Sequence, residues 1–149
     1  MLPVPAEGVM RMFLRRIGRW VIPTALIASL LGIVWGCRDR WFPPRLQVVH
    51  FPLEGKVYRL LRADTPRAWR IGLMYRRTLP HADGMVFVFP DRQHRSFHNK
   101  NTHLDLDVYW IDGRMVIGKV RLAPIERTSK IVVVNSPGPV DIVVELVRR

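Results

Sequence analysis

The chain opens with one long apolar block and then changes its period. From Trp20 to Cys37, 18 residues pass without a charge. A helix of that length, rising 1.5 Å per residue, comes close to spanning the roughly 30 Å hydrocarbon layer of a membrane. Pro23 falls in the first turn, where its missing N–H costs little, and Trp20 and Trp35 fall near the two ends, where amphipathic indoles favour the interface. The block predicts a single transmembrane helix over 20–37. A cleaved signal peptide would have a shorter apolar core ending in small residues. After the block comes Trp41-Phe42-Pro43-Pro44, a stiff stretch whose prolines favour an extended chain and whose aromatics suit a membrane surface.

From Leu46 onward the apolar residues come in short runs with β-branched and aromatic content. Leu46–Phe51 and Val57–Arg62 predict strands joined by a turn at Pro52-Leu53-Glu54-Gly55. Asp64-Thr65-Pro66 supplies an N-cap and a proline allowed in a first turn, which predicts one short helix running to about Met74. Further strands are expected over 84–89, 95–98, 106–111, 115–122, 131–135 and 140–147, with Asp112-Gly113 as a hairpin turn. The fold class expected is mainly β: a small antiparallel barrel or sandwich with one short helix, behind the membrane helix. The domains are then a basic tail at 1–19, the span at 20–37, a linker at 38–45 and a β-rich domain at 46–149.

Charge adds an orientation. The net charge is +12, and since four of the 24 basic and one of the 12 acidic residues precede Arg38, the remainder still carries +9. Arg11, Arg15, Arg16 and Arg19 crowd the N-terminal flank, so the positive-inside rule places the tail in the cytoplasm and the β domain outside, on the periplasmic face of a bacterial inner membrane. A basic domain there favours acidic protein faces or lipid head groups over nucleic acid. Cys37 is the one cysteine, so no disulfide forms within the chain. Its place at the end of the apolar block suits either an ordinary interfacial cysteine or a lipidated one, although Trp35 beside it fits a lipoprotein signal poorly.

The segment Arg70-Ile71-Gly72-Leu73-Met74-Tyr75-Arg76-Arg77-Thr78-Leu79-Pro80 and then Gly84-Met85-Val86-Phe87-Val88-Phe89 resembles a bacterial and archaeal family, domain of unknown function 192. The likeness continues through Phe97, Lys100-Asn101-Thr102, Leu106-Asp107 and Ile111-Asp112-Gly113-Arg114, covering roughly 57–146 in order. It implies a shared scaffold and carries no established activity. His98-Asn99 stands where the family usually has Trp-Met, and Leu104-Asp105 where it usually has Ile-Pro. Val140–Leu146 resembles the penultimate strand, and the sequence ends before the family's usual closing segment.

The chemistry on offer is sparse. Ser96, Ser129 and Ser136 lie in no nucleophile elbow, and no phosphate-cradling loop or nucleotide fingerprint is present, so no catalytic residue and no cofactor are assigned. His98, His103, Asp105 and Asp107 are residue types that bind metals, but their spacing matches no zinc pattern and a polar turn network accounts for them. His98, Lys100, Asn101, His103 and Asp107 form the ligand-pocket candidate. Arg67, Arg70, Arg76, Arg77, Arg92 and Arg95 form the candidate surface for lipid or an acidic partner, joined by Trp20, Trp35, Trp41 and Phe42 at the membrane. The function expected is therefore a non-catalytic accessory subunit of a membrane complex, respiratory or photosynthetic, touching other membrane-protein subunits and the bilayer. No small-molecule ligand is expected on that reading; the alternative is a stand-alone membrane-anchored ligand-binding protein or enzyme using the pocket.

Overall fold

The computed structural model describes residues 45–148. The expected tail, span and all but the end of the linker, with Trp20, Trp35, Trp41 and Phe42, lie outside the described residues. No helix among the described residues is long and apolar enough to cross a membrane.

β1 (Val48–Leu53) and β2 (Lys56–Ala63) form a hairpin. Glu54 and Gly55 at its turn both take positive φ, 49° and 77°, which gives the twist of a type I′ turn. α1 (Pro66–Ile71) begins where the Thr65 hydroxyl accepts the Ala68 N–H at 3.2 Å, with Pro66 in the first turn. It stops short of the expected Met74 because Gly72 takes φ +49° and leaves the helix. β3 (Gly84–Gln93) and β4 (Ser96–His98) follow, then β5 (Leu106–Asp112) and β6 (Met115–Leu122) about the Asp112-Gly113 turn. A 3-10 turn at Ile125–Arg127, β7 (Val133–Asn135) and β8 (Val140–Val147) complete the order.

The domain is mostly β with one short helix, as expected, but the six-stranded sheet is not closed into a barrel. Its order is β1-β2-β3-β8-β5-β6, while β4 pairs with β7 in a separate ribbon. Pairing is antiparallel except between β2 and β3, where Leu60 faces Gly84 in parallel register. A parallel pair needs a crossover, and the segment carrying α1 provides it. Alternation within a strand settles which side chains face inward, but it carries no signal for which strands become neighbours. Closure and order are therefore decided by long-range pairing.

Both faces of the central strands are covered. Met85, Phe87, Val108, Trp110 and Val143 pack on one face with Ala68 and Leu73 from the α1 region. Val86, Tyr109, Ile111, Val144 and Leu146 pack on the other with Leu53 and Leu60. On that second side Tyr109 of β5 donates to the Glu54 carboxylate at 3.2 Å, so the sheet curls until the β1–β2 turn reaches the far strands.

Candidate functional site

A cleft of about 480 Å³ opens on the first face of the sheet, between α1 with its following turn and the β4 ribbon. That volume lies within the range of small-molecule sites. Its walls are aromatic. Trp69 is pinned because its indole N–H is shared between the carbonyls of Ala63 at 3.0 Å and Val88 at 3.1 Å. It packs against Phe89 with centroids 5.2 Å apart, and Phe87 meets Phe97 edge-on at 4.8 Å. Gly72 brings the turn close, since a Cβ there would stand 3.2 Å from the Phe87 ring.

Within this apolar lining sits the carboxyl group of Glu145. The residue lies on β8, opposite Met85 on one side and Val108 on the other, and is only 5% exposed. Desolvation pushes its acid up to about 8, so at neutral pH the group is mostly a protonated carboxylic acid. Among the described residues no hydrogen bond or ion pair engages that carboxyl. Among the described residues it is the one acid lining the cleft, beside Arg70, His94, Arg95 and His98.

Arg95 is held in place. Its Cζ lies 4.0 Å over the Phe89 ring, and Nη2 donates to the Asp91 carbonyl at 3.0 Å and also to the Asp91 carboxylate. Its Nε is buried without a partner among the described residues. Ser96 also lines the cleft, but its hydroxyl already donates to Asn135 Oδ1 at 2.7 Å, so it is committed to joining β4 and β7.

The five pocket candidates from the sequence do not converge. His98 lines the cleft. Lys100 is exposed in the turn after β4. Asn101 takes φ +55° and donates to the Tyr75 hydroxyl at 3.0 Å, a tie between two loops. His103 pairs with the Glu126 carboxylate, and Asp107 pairs with Arg148 at 2.6 Å and Lys119 at 3.3 Å. Asp107 instead borders a second hollow with Glu54, Tyr58 and Tyr109. Asp105 is gripped by Arg121 through Nε at 3.0 Å and Nη2 at 2.6 Å, and by Arg127 at 3.2 Å. The Arg121 hydrogen bond holds its carboxyl below the usual range. No group of three or more His, Cys, Asp or Glu able to hold a metal ion occurs among the described residues.

Of the six candidate arginines, Arg70 and Arg95 reach the cleft. Arg67 lies on α1 and Arg76 in the turn beyond it. Arg77 pairs with Glu126 at 3.7 Å, and Arg92 with Asp112.

Sequence reasoning missed Glu145, and it also missed Asn99. Asn99 is fully buried, donating to the Ala123 carbonyl at 3.1 Å and the Thr128 hydroxyl at 2.9 Å while accepting from Val132 N–H at 2.8 Å. The signal for Glu145 was a lone charge inside the apolar run Val143-Val144-Glu145-Leu146-Val147.

The domain is thus a mostly antiparallel sheet with an inserted helix, bearing a cleft that holds a buried acid. The family model for DUF192, described as "Uncharacterized ACR, COG1430", matches residues 49–149, and the chain belongs to that family. Two crystal structures resemble it. One, a provisionally assigned transcription regulator from Sinorhizobium meliloti 1021, is 26% identical with a TM-score of 0.54, covering 70% of this chain and 84% of that one. The other, a protein of unknown function from Novosphingobium aromaticivorans DSM 12444, is 21% identical with a TM-score of 0.52, covering 70% and 82%. No curated protein matches the chain.

Proposed function

We propose that this protein is a membrane-tethered receptor domain that takes a small organic ligand in the cleft between α1 and β4. The observation that carries the reading is the Glu145 carboxyl, which no group among the described residues engages, on an aromatic-lined cleft. Burying a polar group without a hydrogen bond costs free energy, and a ligand that supplies the missing partner recovers it. The tether is the uncharged 20–37 segment, with the domain on the extracytoplasmic side. The cleft lies apart from Lys100, Asn101, His103 and Asp107, so the ligand reading moves from that set to His98 and its neighbours.

Thermal-shift screening of the full chain in lipid nanodiscs against a metabolite collection tests this. At least one compound should raise Tm in the wild type and fail to do so in His98→Trp, whose larger ring crowds the cleft. An empty screen would overturn the reading.

The second reading is an accessory subunit in a membrane complex. It is favoured by Met115 and Val116, which are exposed on β6, the last strand in the sheet order among the described residues, as a protein contact would use them. Mild detergent extraction and native sizing test it: co-migration with larger membrane proteins supports it, and migration as a free monomer overturns it.

A further inference from the structure

We infer that the cleft receives a flat apolar monocarboxylate, its anionic head on the guanidinium of Arg95 and its far end against the carboxyl group of Glu145. This rests on the reading of the cleft as a ligand site and narrows that reading to one chemical class.

Three observations select the class. The first is the state of Arg95. Phe89 stacks beneath its guanidinium and Asp91 holds Nη2, while Nη1 makes no hydrogen bond among the described residues. A guanidinium already fixed in orientation loses little freedom when it binds a carboxylate, so its remaining donor is preorganised.

The second is the balance of charge. From α1 comes Arg70, from the β3–β4 connection His94 and Arg95, and from β4 His98. The residues facing Glu145 across its two ladders, Met85 and Val108, carry no charge. Among the described residues Glu145 is the only acid lining the cleft, the Asp91 carboxylate being committed to Arg95 Nη2, and burial keeps Glu145 largely neutral. An approaching ligand meets the guanidinium of Arg95 before it meets Glu145, and no uncommitted carboxylate lines its way among the described residues, which favours an anion over an amine.

The third is the floor and walls. Trp69 and Phe97 present ring surfaces, with the buried Phe87 ring behind them and Gly72 packed close against it, which suits a flat unsaturated skeleton. A neutral carboxylic acid in an apolar site can donate its O–H. An oxygen acceptor at the ligand's distal end would satisfy Glu145 where nothing in the described residues does.

Four naphthalene probes on the full chain in zwitterionic nanodiscs test this by isothermal titration at pH 7: 2-naphthoate, 6-hydroxy-2-naphthoate, 2-naphthylmethanol and 2-naphthylmethylamine. The hydroxynaphthoate should bind tightest and the naphthoate next. The alcohol and amine should be weaker by about tenfold or more, the worth of one charge-assisted hydrogen bond. Arg95→Met should remove the advantage of the acids over the alcohol, and Arg95→Lys should restore part of it. Glu145→Leu should abolish the preference for the hydroxyl-bearing acid, and Glu145→Gln, which keeps a neutral donor, should retain it.

Equal binding of the alcohol or tighter binding of the amine overturns the monocarboxylate assignment and leaves the cleft as a ligand site. If no probe binds, the assignment also falls. The metabolite screen then decides separately whether the cleft reading falls with it. A melting curve of each variant without ligand separates loss of binding from loss of fold.

Discussion

A Cβ placed on Gly84 would stand 1.9 Å from the backbone carbonyl oxygen of Glu145. β3 and β8 approach this closely only because residue 84 has no side chain, and that approach fixes the strand that carries the buried acid. Gly84→Ala must push the strands apart and is expected to lower stability by about 1–3 kcal/mol, as overpacking in a core does. Denaturant titration should show the midpoint falling; an unchanged midpoint would mean the two strands have slack at this point.

Asn99 joins three segments through one amide, reaching Ala123, Thr128 and Val132. Asn99→Met, which removes the amide, leaves the Val132 N–H and the Ala123 carbonyl without that partner. Each buried group left unsatisfied costs about 1–3 kcal/mol, so a loss of at least roughly 2 kcal/mol is expected. Amide exchange at Val132 should quicken as well. Wild-type stability in this variant would mean that water replaces the amide.

Glu145 makes stability depend on pH in a defined direction. Its acid stands at about 8 in the folded protein against an ordinary 4.5, so between those values the folded state holds a proton that the unfolded chain has lost. The contribution is fully present below the unfolded value and is lost as pH rises through the folded one. Stability should therefore fall from about pH 5 to pH 8, with a limiting slope near 1.4 kcal/mol per unit for one proton. Asp105 and Glu126 shift the other way, and their stabilisation is lost as pH falls below the carboxylate range, outside this window. Denaturation series at several pH values should show a flatter profile for Glu145→Gln. Parallel profiles for the two proteins would contradict a buried neutral acid.

Asp105 ties the entry of β5 to β6 and to the 3-10 turn through Arg121 and Arg127. The Arg121 contact is two-pronged, which places it above an ordinary surface pair. Asp105→Asn is expected to cost about 1 kcal/mol at low ionic strength and less at high salt. Thermal melts at two salt concentrations check this, and a cost independent of salt would point to packing as the cause.

The fold was legible where a signal is local. The strands Met115–Leu122 and Val140–Val147 lie where alternation and flanking turn residues put them, and Thr65-Pro66 marks the start of the helix. β3 runs past Phe89 to Gln93, beyond the apolar run, because its pairing with β8 resumes at Gln93 opposite Val140 after an irregular stretch. Nothing within residues 84–93 announces a partner fifty residues away.

From residues alone came the membership of short elements in a β-rich domain, its turns and its basic balance, because period, turn chemistry and charge are properties of neighbours along the chain. Tertiary structure alone decided that β8 inserts between β3 and β5, that β2 runs parallel to β3, and that His98 and Arg95 share a cleft while Asp107 faces another hollow. It also decided the state of Glu145. A glutamate in a strand is ordinary until a helix and a ribbon cover its face, and its desolvation is then set by elements distant in the sequence.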